Sequence, residues 1–142
     1  MIIDTTYLLP LARINVDKDL LRAVADEKVK LRFEDIRINE ISIFELQAKA
    51  AKLMIPAKFV IEAIETILKA FKIERFHKPE IIEIANEIRR SIPDYIDCII
   101  VATAVLTKES LITEDSLILS KREQIQKKHG IKILTFSELT EG

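Results

Sequence analysis

The chain has 142 residues, of which 49% are hydrophobic, and its formal net charge is −1 at pH 7. This length predicts a single domain over residues 1–142, and the absence of an apolar run of about 18 residues excludes a transmembrane helix. The near-zero net charge gives no indication of general nucleic-acid binding. The presence of one cysteine, Cys98, excludes an internal disulfide framework and a multi-cysteine metal site.

The first half of the chain alternates between short strands and helices. Met1–Asp4 is predicted to be a strand that ends in an acid, and Thr5–Ile14 a turn and a short helix. An amphipathic helix over Asp17–Val29 follows, with Asp17 as its predicted cap. The next predicted elements are the strand Ile36–Asn39, the helix Ile41–Met54, and a helix that Pro56 opens and that runs to about Lys72.

The second half continues this alternation and completes an α/β pattern. Its predicted elements, in order, are the strand Ile73–Phe76, a helix from Pro79 to about Arg90, a buried helix from Asp94 to Leu106, the strand Leu111–Thr113, the helix Leu117–His129 closed by Gly130, the strand Ile131–Leu134 and a helical turn over Phe136–Leu139. Such alternation predicts a parallel sheet covered by helices on both faces. Ligands of such sheets bind outside the carboxyl ends of the strands.

One acid lies inside the most apolar segment. In the helix Asp94–Leu106, Asp97 and Thr103 are the only polar side chains after the first two residues. On a helical wheel Asp97 falls on the same side as Ile100 and Ala104, so its carboxylate faces apolar surroundings. An ionised carboxylate in that position needs a metal ion, a basic partner or a hydrogen-bond network.

Four acids are expected to meet at the carboxyl edge of the sheet. Asp4 ends the first strand, and Asp115 follows the strand Leu111–Thr113. Asp97 lies in the first turn of the buried helix, and Glu45 lies in the first turns of the helix after the second strand. Clustered carboxylates raise one another's pKa unless cations intervene, and an all-oxygen site suits Mg²⁺ or Mn²⁺. The chemistry that this predicts is metal-assisted hydrolysis of a phosphodiester.

These acids also have structural alternatives. Asp4 and Asp94 could cap the helices that follow them; we favour a site role for Asp4 and a cap for Asp94, which stays an additional site candidate. Glu45 could pair on the surface with the lysine four residues later, and periodicity alone does not decide between the two roles. If Asp115 turns towards the site, its neighbour Glu114 is expected to face solvent.

The segments around these acids resemble PIN-domain ribonucleases, most of all the small VapC-type toxins of prokaryotic toxin–antitoxin pairs. The matching stretches are IIDTTYLL at residues 2–9, ISIFELQAK at 41–49, DCIIVATA at 97–104 and LITED at 111–115. In that family the first strand ends in Asp, a Glu follows the second strand, an Asp opens the buried helix and T-x-D ends the fourth strand. The turn Thr107–Ser110 departs from the family because it lacks the glycine often found there.

The resemblance implies a three-layer α/β/α domain with a central, parallel, five-stranded sheet. It implies an Mg²⁺- or Mn²⁺-dependent endoribonuclease with an RNA substrate, frequent homodimerisation, an antitoxin as a candidate partner, no membrane association and a cytoplasmic location. The acids that it marks as catalytic are Asp4, Glu45, Asp97 and Asp115, of which Asp4, Asp97 and Asp115 are the expected metal ligands. Supporting residues are Thr5, Thr6 and Thr113.

Three alternatives stay open at this point. The chain could be a catalytically silent PIN-like interaction module or a non-toxin RNA-processing nuclease. A phosphorylation-receiver domain is also α/β with clustered acids, but it needs paired acids after the first strand, where Thr5 and Thr6 follow Asp4.

Overall fold

The computed structural model describes residues 1–141 and is built on one fully parallel sheet. The sheet has five strands in the order β3-β2-β1-β4-β5. The strands are β1 (Ile2–Ile3), β2 (Arg37–Asn39), β3 (Lys72–Glu74), β4 (Leu111–Ile112) and β5 (Ile133–Leu134). Because β1 lies in the centre, the acid that follows it stands in the middle of the carboxyl edge.

Helices connect the strands and complete the chain. A 3₁₀ helix covers Thr5–Ala12, and the α-helices are α1 (Leu20–Ala25), α2 (Ile41–Lys52), α3 (Ala57–Ala70), α4 (Pro79–Ile88), α5 (Tyr95–Thr107), α6 (Ser116–Ser120), α7 (Arg122–His129) and α8 (Phe136–Glu141). No helix within residues 1–141 is both long and apolar enough to cross a membrane. The predicted single-domain span ends at Gly142, which lies outside the described residues.

Successive strand residues divide the core between the two faces of the sheet, as the pleat of a strand requires. Ile3 and Ile112 pack in one cluster with the 3₁₀ helix, α1, α2 and α3. Ile2 and Leu111 pack in the other cluster with α4, α5, α6 and α7. All four of these strand side chains are fully buried, as expected for a parallel sheet covered on both faces. The predicted three-layer α/β/α architecture is therefore confirmed.

One buried amide fixes two of the elements that carry the predicted acids. Asn39, at the end of β2, donates from Nδ2 to the hydroxyl of Thr103 on α5 at 2.9 Å. Its Oδ1 accepts from the backbone N–H of Ile41, at the start of α2, at 2.9 Å. The amide of Asn39 thus ties α5, which carries Asp97, and α2, which carries Glu45, to the same strand.

The helix predicted over Asp17–Val29 is shorter than expected. Its cap is Asp19, not Asp17, because the Asp19 carboxylate accepts from the backbone N–H of Arg22 at 3.1 Å. The chain leaves the helix early, since Glu27 adopts a left-handed φ of 55°. Two neighbouring acids offered the same capping chemistry, so the pattern could not choose between them.

The helix predicted over Leu117–His129 is two helices, α6 and α7, separated at Lys121. The hydroxyl of Ser120 donates to the Leu117 carbonyl at 2.6 Å, which is the carbonyl that a continuous α-helix would offer to Lys121. The Lys121 N–H bonds to the Ile118 carbonyl instead. Gly130, with φ of 72°, ends α7 as predicted.

Candidate functional site

The four predicted acids line one cleft at the carboxyl edge of the sheet. The cleft has a volume of about 620 Å³, and its lining includes Asp4, Thr5, Thr6, Glu45, Asp97 and Asp115. The acids arrive from the end of β1, from α2, from α5 and from the end of β4. The parallel topology is what brings these distant parts of the chain together, since carboxyl ends of parallel strands share one edge.

Asp4 is held by hydrogen bonds on both of its carboxylate oxygens. Its Oδ1 accepts from the backbone N–H of Thr5 at 2.7 Å, and its Oδ2 accepts from the hydroxyl of Thr113 at 2.6 Å. Asp4 is only 8% exposed, and this burial, together with the charge of Asp115, raises its pKa, while the two hydrogen bonds oppose the rise. Asp4 therefore both caps the 3₁₀ helix and presents a constrained carboxylate at the cleft.

Glu45 is tied to the start of the 3₁₀ helix after β1 rather than to a surface lysine. Its Oε1 accepts from the hydroxyl of Thr5 at 2.5 Å, and that hydroxyl lies 2.9 Å from the Oγ of Ser42. A hydroxyl has one proton to donate, so Ser42 is the donor in the second contact. Burial is the main cause that raises the pKa of Glu45, and the charge of Asp4 adds to it. No Glu45–Lys49 ion pair occurs within residues 1–141.

Asp97 is a half-buried carboxylate without a compensating partner. Its pKa is raised to about 7, mainly by burial and then by the charges of Asp115, Asp94, Asp4 and Glu45, in that order of importance. No hydrogen bond from the described residues lowers it. This acid shows most clearly that the cluster holds more negative charge than its protein surroundings neutralise.

Asp115 and Asp94 both cap helices through a single oxygen. Asp115 Oδ1 accepts from the backbone N–H groups of Leu117 and Ile118 at 3.0 and 2.9 Å, which leaves Oδ2 free of the cap. Asp94 Oδ1 accepts from the N–H groups of Ile96 and Asp97 at 2.9 and 3.2 Å. Asp94 is exposed and lies outside the cleft lining, so its contacts are those of a cap, although its charge reaches the cluster.

Glu114 does not face solvent, contrary to the expectation from the sequence. Its Oε2 accepts from the hydroxyl of buried Tyr7 at 2.5 Å and from the backbone N–H of Phe136 at 2.8 Å, and its side chain lines the cleft. The signal that could have found this contact is Tyr7, because a phenol buried in an apolar helix needs an acceptor. Thr6, by contrast, is exposed at the rim.

Besides Glu114, two charged residues of the lining were not anticipated as part of the site. Asp17, predicted as a cap, lines the cleft beside Asn15. Lys49 is the basic residue of the lining. Ser42 was visible in the sequence as a neighbour of Glu45 on the helical wheel, but its contact with Thr5 depends on the tertiary fold.

The donor chemistry of the cleft fits a hard divalent cation. No ion pair within residues 1–141 involves any of the four acids. The groups are carboxylate and hydroxyl oxygens, which suit Mg²⁺ or Mn²⁺ better than zinc. In the described part of the chain, however, no three His, Cys, Asp or Glu side chains are already arranged to hold a metal ion. The fit is thus one of charge and donor type.

The comparison with protein families decides what this domain is. Residues 1–123 match the family model described as the PIN domain. The chain belongs to the PIN domain family. PIN domains are typically metal-dependent nucleases, which assigns the protein to the hydrolases and sets aside the receiver-domain alternative.

A solved structure shares the fold of this PIN domain. The crystal structure of FitAcB from Neisseria gonorrhoeae is similar with a TM-score of 0.65, and the match covers 98% of this chain and 100% of that chain at 20% sequence identity. No curated protein matches the sequence.

Proposed function

We propose that this PIN domain is an endoribonuclease that hydrolyses RNA phosphodiester bonds with Mg²⁺ or Mn²⁺. The observation that carries the proposal is the convergence of four carboxylates, from four separate elements, on one cleft in which none has a basic partner among residues 1–141. Such an excess of negative charge favours a divalent cation. A bound cation of this kind activates water and neutralises charge on a phosphate.

Each acid has a proposed role in this reaction. Asp4, Asp97 and Asp115 hold one or two metal ions, and Glu45 either ligates an ion or orients the attacking water. The hydroxyl of Thr113 fixes the direction of the Asp4 carboxylate.

The proposal is tested by cleavage of synthetic RNAs, single-stranded and structured, in Mn²⁺ or Mg²⁺. We expect Asp4→Asn and Asp97→Asn to abolish cleavage while their circular dichroism stays that of the wild type. Glu65→Gln is the matched control, because Glu65 is an exposed acid of α3 that lies outside the cleft. Cleavage that persists in either site variant, or in metal-free buffer, contradicts the mechanism. A wild type that never cleaves favours the silent interaction module.

We also propose that the protein is the toxin of a toxin–antitoxin pair and acts in the cytoplasm. The support is the resemblance of its four acid-bearing motifs to VapC-type toxins. We expect a neighbouring gene that encodes a small protein with a DNA-binding N-terminus and an apolar, Arg-bearing tail. Expression of the PIN domain alone should arrest cell growth, and co-expression of the neighbouring gene should restore it. If no such gene is present, an RNA-processing nuclease is the better assignment.

The protein is further proposed to form a homodimer of single-domain subunits. Ile61 and Leu68 are 56% and 57% exposed and lie seven residues apart, on one face of α3. Exposed apolar side chains that share one helix face are candidates for an interface between copies. Sedimentation should show a dimer that Ile61→Glu with Leu68→Glu dissociates, and a monomeric wild type contradicts the assignment.

A further inference from the structure

A second, shallower groove lies beside the acid cleft along α2. Its volume is about 310 Å³, and its lining consists of Phe44, Glu45, Ala48, Lys49, Lys52 and Ile96. Five of these residues follow the three- and four-residue spacing of one helix face. Glu45 and Lys49 also line the acid cleft, so the groove is adjacent to the candidate site.

Phe44 is the apolar element of this groove and is not a core residue. Its side chain is 61% exposed, whereas Leu46 and Ala50 bury the opposite side of α2 in the core. A single exposed aromatic residue is ordinary by itself. Here, however, Phe44 is adjacent in sequence to Glu45 and lines the same groove as Lys49 and Lys52, which places an apolar ring next to a charged site.

The two lysines of the groove place positive charge at the edge of the acid cleft. Lys49 and Lys52 are exposed, and neither forms an ion pair with residues 1–141. The acid cleft repels a polyanion, and the net charge of the chain, −1, gives no general attraction to one. A strand of nucleic acid that reaches the cleft therefore gains from cations at its edge, and these two are placed there.

We propose that this groove is a subsite for single-stranded RNA, in which a base next to the scissile phosphate stacks on Phe44 while Lys49 and Lys52 bind the flanking phosphates. The inference rests on the proposed nuclease function and adds the substrate form that the site accepts. An aromatic ring with adjacent cations is the recurring means of binding single strands. The strand must be unpaired, because a base stacked in a duplex cannot turn its face to a side chain.

The protein contains no tryptophan, so Phe44→Trp creates a single fluorescent reporter in the groove. In an Asp97→Asn background, which prevents the proposed cleavage, a single-stranded RNA oligonucleotide should quench this emission and the same sequence in a duplex should not. Phe33→Trp is the matched control and should not respond, because Phe33 is 40% exposed and lies outside both the acid cleft and the groove. Equal quenching of both reporters, or none in the groove, overturns the proposal.

Truncation of the ring measures its contribution to binding. Phe44→Ala and Phe44→Leu should both raise the dissociation constant for the single-stranded oligonucleotide by roughly 5- to 100-fold, while Phe44→Trp retains it. In the active enzyme the same changes should raise KM and leave kcat nearly unchanged. If Phe44→Leu binds as the wild type does, the contact is not base stacking and the proposal fails.

The salt dependence of binding tests the lysines. Replacing Lys49 and Lys52 with Ala should make the negative slope of log K against log salt shallower by about 1.4, whereas Lys69→Ala on α3 should leave the slope unchanged.

If wild-type protein cleaves RNA but none of these variants changes KM or binding, the subsite is wrong and the nuclease assignment stands. If nothing cleaves but the groove reporter responds to single strands, the subsite stands without the nuclease. If Phe44→Ala instead dissociates a dimer without affecting RNA, the groove is an interface between copies and the proposal is overturned.

Discussion

The hydroxyl of Thr113 donates a 2.6 Å hydrogen bond to Oδ2 of Asp4 across 109 positions of sequence. The same hydroxyl accepts from the backbone N–H of Asp115 at 3.0 Å, so its one proton is committed to Asp4. Thr113 is fully buried and joins the ends of the adjacent strands β1 and β4. Two of the proposed metal ligands are thereby positioned by a residue that is itself not an acid.

Replacement of Thr113 by Val should weaken metal binding without unfolding the protein. Val keeps the shape of the side chain but removes the hydrogen bond that opposes the rise in the Asp4 pKa, so the carboxylate is harder to ionise. Partners that orient ligands in this way typically contribute about 10- to 100-fold in metal affinity. Calorimetric titration with Mn²⁺ measures the loss. Thr113→Ser should largely restore the affinity, and equal affinity in all three proteins contradicts the positioning role.

Asp97→Asn should stabilise the metal-free protein at pH 8. The pKa of Asp97 is raised from 3.8 to about 7, so between these values the folded state holds a proton that the unfolded state releases. The contribution of this carboxyl group to the free energy of unfolding is therefore fully present below pH 3.8, declines as the pH rises from 3.8 through 7, and is lost above 7. Because the group is partly exposed, solvent screening reduces this effect. We expect the free energy of unfolding of the variant to exceed that of the wild type by about 1–2 kcal/mol at pH 8 and to differ little at pH 4.

Urea unfolding at the two pH values, in EDTA, measures this effect. Glu65→Gln is the control and should follow the wild type at both. Addition of Mn²⁺ should reverse the order at pH 8, because a ligand that binds only the folded state stabilises it by mass action. A wild type that is the more stable protein in EDTA at pH 8 contradicts the idea that the cluster is uncompensated.

The site shows where sequence reasoning succeeds and where it stops. The isolation of Asp97 follows from its helix alone, since the pattern predicts a carboxylate that faces apolar surroundings and names no partner for it. Glu45 is different: its contact is the hydroxyl of Thr5, which stands 40 positions away. Helical periodicity describes only neighbours on the same helix, so it left that residue undecided, and the family resemblance was needed to place it among the acids.

The same limit explains where the predicted elements differ from the observed fold. The parallel sheet was predictable because each short apolar strand alternates with a helix. The break at Lys121 was not, because it arises from the contact of Ser120 with the Leu117 carbonyl, which hydrophobic periodicity does not register. The sequence predicts a solvent-facing Glu114 because its partners, Tyr7 and Phe136, lie in other elements that the local pattern does not describe.

Lys108→Gly should stabilise the protein slightly. Lys108 ends α5 with φ of 56°, a left-handed conformation that costs an L-residue about 1–2 kcal/mol. Glycine removes that cost but loses about 0.5–1 kcal/mol through the entropy of the unfolded chain, so the net gain in the free energy of unfolding lies between about 0 and 1.5 kcal/mol. Thermal unfolding measures the gain, and Lys108→Ala, which keeps the strained backbone, should show none. A destabilised glycine variant would contradict this explanation of the turn that departs from the family pattern.

Thr103→Val should destabilise the fold. The change leaves the buried Nδ2 of Asn39 without its acceptor on α5, and an unsatisfied buried donor costs about 1–3 kcal/mol. Urea unfolding should show this loss, with Thr103→Ser much closer to the wild type. If Val and Ser behave alike, the Asn39 contact does not hold α5 to β2.

The assignment of the acid cleft as a metal-dependent nuclease site is tested most directly by one RNA cleavage assay, carried out on a single protein sample in three states. We predict cleavage by the protein as purified with Mn²⁺, no cleavage after the metal is removed with EDTA and dialysed away, and restored cleavage when Mn²⁺ is added again. The same sequence of steps with Asp97→Asn should give no cleavage at any stage. Undiminished cleavage in the metal-free state, or restoration in the Asp97 variant, would contradict the claim that these acids form a divalent-metal nuclease site.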